Sequence, residues 1–181
     1  MISGEVIHAA RILQQGGVVA YATEYCFGLG CNPMNHAAVR RLLRVKHRPA
    51  GKGLILIAAD LEQLAPLVNN IPSHVLATWP GPHTWLLEPR SDVPRWITGE
   101  HPRLAVRVTA HAQAAGLCRM ARMALVSTSA NRAGSQPTRS YRETLRRFNG
   151  EVDYVLPGKV GAAPAPTPIH DAASGELVRP G

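Results

Sequence analysis

Apolar and polar positions follow two rhythms that take turns along this chain, and together they predict a succession of helices and strands. Residues 4–15 keep the helical period and stop at Gly16 and Gly17, after which the apolar run VVAYAT (18–23) predicts a buried strand. NHAAVRRLLRVK (35–46) returns to the helical period, with Val39, Leu42, Leu43 and Val45 largely on one side. LILIAA (54–59) predicts the next strand, and Asp60 with Gln63 resembles a capping box that opens another helix. HTWLLE (83–88) and LAVRVT (104–109) predict strands around an irregular, proline-bearing segment. A helix near 111–122 leads into ALVSTSA (124–130), and Ser140 with Glu143 supplies a second capping box for a helix near 141–148. Beyond Val152, short strands are expected at DYVLP, PIHDA and ELVRP, separated by GAAPAPTP, which reads either as a surface loop or as a flap over a site. Strands interleaved with helices predict one α/β domain over residues 1–181, a twisted mixed β-sheet flanked by helices.

The chain has 181 residues and 45% hydrophobic content, enough for a substantial core, and its longest apolar runs are far too short to cross a bilayer. The N-terminus MISGEVIHAARILQQGG lacks a cationic leader and a continuous apolar stretch, so the expected place is the cytoplasm and no membrane partner is expected. Three cysteines, Cys26, Cys31 and Cys118, form no CxxC pair and predict buried thiols rather than disulfides or a zinc cage. Met34, Trp79, Trp85 and Trp96 read as packing residues.

Charge changes the picture. The formal net charge is +8, almost all from arginine, whose planar fork suits phosphate and carboxylate oxygens. Some of it belongs on solvated helix faces, as for Arg142 and Arg146 at i,i+4 spacing. KHRPAGKG (46–53) is different: between Glu24 and Asp60 there is no acidic residue to offset it. A P-loop is excluded there, because the order is helix, loop, strand and the spacing of the glycines is wrong. Lys46 and Arg48 either complement a helix C-terminus or form part of a phosphate site, while Lys52 reads as a solvated loop charge. LVSTSAN (125–131) is an apolar strand that ends in hydroxyls and an amide, useful either for turn chemistry or for a ligand. Arg107 interrupts a strand that should be buried, so it needs a partner or a ligand, and Glu24 follows another strand end. Ligands in open α/β sheets bind beyond strand ends, so these clusters are expected to converge on one concave basic cleft.

YATEYCFGLG, KHR, LAVRV and STSAN, followed in order by GSQPT, IHDAASGEL and LVRPG, resemble the sequence elements of the YrdC-like threonylcarbamoyl-AMP synthases over essentially the whole chain. The form that it resembles is the short, single-domain one. Ala22 stands where that family usually has proline, and the segment before Thr167 departs from the form of longer relatives.

The resemblance implies a nucleotidyl transfer. L-threonine and bicarbonate give a carbamate whose carboxylate attacks the α-phosphorus of ATP, releasing pyrophosphate. Carried over by position, Lys46, Arg48, Ser129 and Arg179 resemble ATP-contacting residues, and Lys46, Arg48, Ser129 and Asn131 a catalytic tetrad. Thr23, Arg107, Ser127 and Thr167 resemble the residues that hold threonine, with Arg107 on its carboxylate. Mg²⁺ is expected to arrive with the nucleotide. The implied partners are the tRNA threonylcarbamoyl transferase proteins, and tRNA or other RNA. Two other readings remain open: an RNA-binding module without turnover, and a carbamoyl-adenylate enzyme, whose known examples are much longer.

Overall fold

The computed structural model describes residues 3–181. In chain order its elements are α1 (Gly4–Gln14), β1 (Val19–Ala22), β2 (Phe27–Gly30), α2 (His36–Lys46), β3 (Ile55–Ala58), α3 (Ser73–Leu76), β4 (Thr84–Leu87) and α4 (Arg95–Thr98). There follow β5 (Leu104–Val108), α5 (Ala112–Ala121), β6 (Leu125–Val126), β7 (Thr128–Ser129), α6 (Tyr141–Phe148), β8 (Tyr154–Val155), β9 (Ile169–Asp171) and β10 (Leu177–Arg179). The longer helices begin where a side chain accepts an orphan amide. Ser3 takes that of Val6, Asn35 that of Ala38, His111 that of Ala114 and Ser140 that of Glu143. α2 ends at His47, whose left-handed backbone (φ 51°) turns the chain so that the Arg48 amide reaches back to the Leu43 carbonyl.

The strands form two mixed sheets rather than one, in the orders β7-β2-β1-β8 and β10-β9-β4-β5-β3-β6. β1 pairs antiparallel with β2 and parallel with β8, while β5 pairs parallel with β3 and antiparallel with β4. The run expected as one strand over 124–130 divides at Ser127: β6 joins β3 in the larger sheet, and β7 joins β2 in the smaller. That single residue therefore stands where the two sheets diverge.

Apolar continuity along β1 and β3 follows from burial on both faces. Ala20, Ala22, Leu56 and Ala58 enter one core cluster with Phe27, Leu42, Val106 and Val126, whereas Val19, Tyr21 and Ile57 enter a second with Leu13 of α1 and Leu117 of α5. Successive strand residues point to opposite faces, so no polar alternation survives in the sequence.

Two further expectations are corrected. Asp60 Oδ1 accepts from the Gln63 amide (3.1 Å) as in a capping box, but Gln63 Oε1 reaches back to the Ala59 amide (2.9 Å) instead of that of Asp60, and only turns follow. Pro66 has no amide to continue the ladder, so the backbone closes single turns on Leu61 and Leu64 and stops. Met34 is 52% exposed and packs into no core, although Trp85 is buried and Trp79 and Trp96 pack against the core. Arg142 and Arg146 lie on the solvated face as expected, and Lys52 is exposed. All three cysteines are buried and free. Among the described residues no helix is long and apolar enough to cross a membrane.

Asp153 ties three segments together: Oδ2 accepts from the Val18 amide at 2.7 Å and from Arg41 Nη1 at 2.5 Å. Burial opposes its charge, but the Arg41 and Val18 hydrogen bonds prevail and hold its carboxyl below the usual range. Asp153→Ala should lower the unfolding free energy by about 1 kcal/mol near neutrality. A depressed folded pKa contributes stability above the unfolded value of about 3.9 and loses it as pH falls through the folded value. Thermal melts should therefore show the gap from wild type closing only in strong acid.

Candidate active site

A cleft of about 430 Å³ opens beyond the ends of β1 and β5, at the divergence of the two sheets. Seven of the nine residues predicted for the site line it: Thr23, Arg48, Arg107, Ser127, Ser129, Thr167 and Arg179. Lys46 and Asn131 stand behind its wall.

Arg107 projects from β5 into the cleft wall and is almost wholly buried. Its Nη1 donates to Thr167 Oγ1 at 2.6 Å and its Nη2 to Glu24 Oε2 at 3.1 Å, while Nε is buried without a partner. The second Glu24 oxygen accepts from Thr109 Oγ1 at 2.6 Å, and Thr84 Oγ1 lies 3.1 Å from Thr167 Oγ1. Burial works against the Glu24 charge, but Arg107 and then Thr109 outweigh it, so the carboxyl sits below its ordinary range. Beside this network lie Thr23, whose hydroxyl donates to the Cys26 carbonyl at 2.8 Å and so closes the turn after β1, and Ser127. Gly28 leaves the floor open between them: a Cβ there would stand 3.3 Å from the Thr23 methyl and 3.4 Å from Ser127 Oγ. Cys26 also lines the cleft, but burial pushes its thiol up to about 11, which makes it a poor nucleophile.

Arg48 and Arg179 line the same cleft. Arg48 Nη2 donates to the carbonyls of Lys52 (3.1 Å) and Gly53 (2.9 Å), which fixes the fork, and its buried Nε has no partner. Arg179 Nη2 donates to the Thr167 carbonyl at 3.3 Å. Burial lowers the pKa of both, and so does repulsion, by Arg179 at Arg48 and by Arg107 at Arg179. Arginine stays protonated regardless, so three guanidinium groups line one hollow, with Arg179 repelling both of the others. Anionic ligands relieve that repulsion.

Lys46 is neither a solvated cation at the end of α2 nor part of the cleft lining. Its Nζ donates to the Ser129 carbonyl, to the Asn131 carbonyl at 2.9 Å and to Asn131 Oδ1 at 3.4 Å. Asn131 Oδ1 also accepts from Ser129 Oγ at 2.5 Å, and its Nδ2 holds the carbonyls of Arg132 (3.0 Å) and Ser135 (2.7 Å). Lys46 and Asn131 thus shape the loop that presents Ser129. Burial, and then Arg48, push the Lys46 ammonium down to about 8.

Thr84 and Thr109 escaped the sequence reading. Their signal was a hydroxyl at the boundary of an apolar strand, which is also ordinary turn chemistry. The GAAPAPTP loop docks on the turn after β1, with the Gly161 amide on the Thr23 carbonyl (2.9 Å) and the Ala163 amide on the Glu24 carbonyl (3.1 Å). It closes one side of the cleft through Pro166 and Thr167.

A family model named for Sua5, YciO and YrdC and described as "Telomere recombination" matches residues 11–181. A threonylcarbamoyl-AMP synthase of Nitrosococcus oceani is 51% identical over 175 residues, covering 94% of this chain and 95% of the relative. One from Methylobacillus flagellatus is 52% identical over 174 residues, covering 94% and 96%. Among solved structures, P. abyssi Sua5 complexed with L-threonine superposes with a TM-score of 0.90 at 34% identity, over 97% of this chain and 54% of that one. This chain therefore spans about half the length of that protein. E. coli YciO superposes with a TM-score of 0.82 at 28% identity, covering 96% and 87%. These likenesses match the architecture described above, one α/β domain of mixed sheets flanked by helices.

Lys46→Met keeps most of the packing but removes every donor from the Ser129 and Asn131 acceptors. It should cost about 1–3 kcal/mol of stability and loosen the loop. Thermal melting reads the first effect, and faster tryptic cleavage after Arg132 reads the second. Unchanged proteolysis would mean that the loop holds its shape without the ammonium.

Proposed function

Because the chain belongs to the Sua5/YciO/YrdC family, we propose that its cleft is the site at which it makes threonylcarbamoyl-AMP. It is an enzyme of the nucleotidyltransferase type. L-threonine, bicarbonate and ATP give threonylcarbamoyl-adenylate, pyrophosphate and water. The observation that carries the assignment of the cleft is its charge: the buried Arg107 guanidinium paired with Glu24, and two more, Arg48 and Arg179, with no acidic side chain beside them.

In this reading Arg107 receives the threonine carboxylate, with Thr23, Ser127 and Thr167 offering hydroxyls around the amino acid. Gly28, with no Cβ, leaves the space between Thr23 and Ser127 open. Arg48 and Arg179 receive the phosphates, and the Ser129 hydroxyl lines the same cleft. The threonine nitrogen and bicarbonate give the carbamate with loss of water. The carbamate oxygen then forms the new bond to the α-phosphorus as the bond to the β-phosphate bridging oxygen breaks, and the electron pair leaves with pyrophosphate. No protein nucleophile is needed. The chain contributes position and charge, binding both reactants in one water-restricted hollow and opposing the charge that grows on the leaving group. Lys46 acts through the loop it clamps.

The side chains do not make a resident Mg²⁺ site. Glu24 is the single acidic side chain in the cleft lining, and Arg107 and Thr109 already occupy its oxygens. An ion accompanying ATP is held by phosphate and water. The product is a mixed anhydride, which calls for an acyl transfer to an amine, and adenosine in tRNA acting through a transferase complex is the acceptor we propose. Free, buried cysteines fit a cytoplasmic setting.

Pyrophosphate release from ATP should require both threonine and bicarbonate; release indifferent to threonine would overturn the reading. Arg107→Ala should weaken threonine binding about 10- to 100-fold with little effect on ATP, and Arg48→Ala or Arg179→Ala should do the reverse. Calorimetric titration of each ligand separates these outcomes. Salt-sensitive RNA binding without any turnover would instead favour a binding module.

A further inference from the structure

Glu24 and Thr109 belong to no role described so far, yet they are bonded in series beside Arg107. We propose that they are the positioning pair that aims Arg107, with Glu24 acting on threonine through Arg107 and not by contact of its own. This deepens the proposed function and rests on it for the identity of the ligand.

The chain of bonds has one direction. Thr109 is buried just beyond the end of β5, and its hydroxyl donates to Glu24 Oε1 at 2.6 Å. The Thr109 oxygen in turn accepts from the His111 amide at 3.2 Å, which anchors it to the start of α5. Glu24 Oε2 accepts from Arg107 Nη2 at 3.1 Å, in a pair whose side chains are 7% and 12% exposed. A guanidinium is planar, so fixing Nη2 on Glu24 and Nη1 on Thr167 fixes the direction of its remaining N–H groups. Those groups are what a carboxylate in the cleft can meet.

Two further facts decide between positioning and chemistry. Both Glu24 oxygens are already engaged, and its carboxyl is held below the ordinary range, so it is unsuited to take a proton from the amino group. The basic side chains that face it from neighbouring elements are Arg107 of β5 and His111 at the start of α5. Its backbone carbonyl accepts from the Ala163 amide at 3.1 Å, and a Cβ at Gly161 would come within 2.8 Å of it. The turn carrying Glu24 is thereby pinned on both sides, which a positioning residue needs.

The test uses Glu24→Gln, Thr109→Val and Thr109→Ser in the full chain, with threonine and ATP titrated separately. Arg107 is read independently by phenylglyoxal modification and peptide mapping, since a guanidinium freed from its carboxylate reacts faster. Glu24→Gln should weaken threonine binding about ten-fold, leave ATP binding unchanged and speed modification of Arg107. Thr109→Val should do the same more weakly, Thr109→Ser should behave as wild type, and the double variant should be no worse than Glu24→Gln alone. The proposal fails if Glu24→Gln keeps wild-type threonine affinity and Arg107 protection, or if affinity for both ligands falls together. Should wild-type protein bind no threonine, the functional reading falls, and Arg107 protection alone then decides this inference. Should Glu24→Gln not fold, the Thr109 variants decide it.

Discussion

A guanidinium inside a sheet is the constraint around which this molecule is arranged. Arg107 sits in β5 between Val106 and Val108, two fully apolar core residues, and a charge there is tolerated only with a partner. The partner, Glu24, comes from the end of a strand in the other sheet, and Thr167 comes from a loop near the end of the chain. Satisfying one side chain thus requires both sheets and the 161–168 loop to meet at one place. The cleft is the space left where they meet. Its location follows from the cost of an unpaired buried charge as much as from the topology.

The same constraint explains why catalysis by arrangement is available here. Arg179 repels both Arg48 and Arg107, and only Arg107 has an acidic side chain beside it in the cleft lining. Backbone carbonyls offset part of the cost, those of Lys52 and Gly53 at Arg48 and that of Thr167 at Arg179. Ligands that bring negative charge offset the rest, so the cationic array stores binding energy that the empty protein cannot use. In the proposed reading an amino-acid carboxylate is matched to the guanidinium paired with Glu24, and a triphosphate to the two without an acidic side chain beside them.

Much of this was legible in the sequence because strongly patterned segments leave few alternatives. The helices at 4–15, 35–46, 111–122 and 141–148 appeared within a residue or two, each opened by a capping side chain. An arginine inside LAVRV announced a buried charge before any partner was known. What could not be read was division and direction. ALVSTSA gives no sign that Ser127 parts two sheets, because both halves are apolar or hydroxylated and both pair with neighbours. The Asp60 box predicts a start but not a length, and Pro66 ends what it starts. Thr84 and Thr109 look like any strand-edge threonines until the fold brings Thr167 and Glu24 to them.

Lys46 shows why position on a helix is not enough to assign a charge. A lysine in the last turn of α2 complements the helix dipole whether it faces water or not, and by sequence the two cases are indistinguishable. The structure sends the side chain inward, where its three donors meet oxygen atoms of Ser129 and Asn131. Each of those acceptors would otherwise be left without this donor, so the ammonium is bound by what it organises. Its depressed pKa is then a consequence of burial that the loop makes worthwhile, since a neutral amine offers one proton fewer to the same acceptors. Three loops that carry the hydroxyl and cationic groups are held by polar bonds made away from the ligand. The ligand therefore meets a site already set, and the ordering cost falls on folding instead of on each turnover.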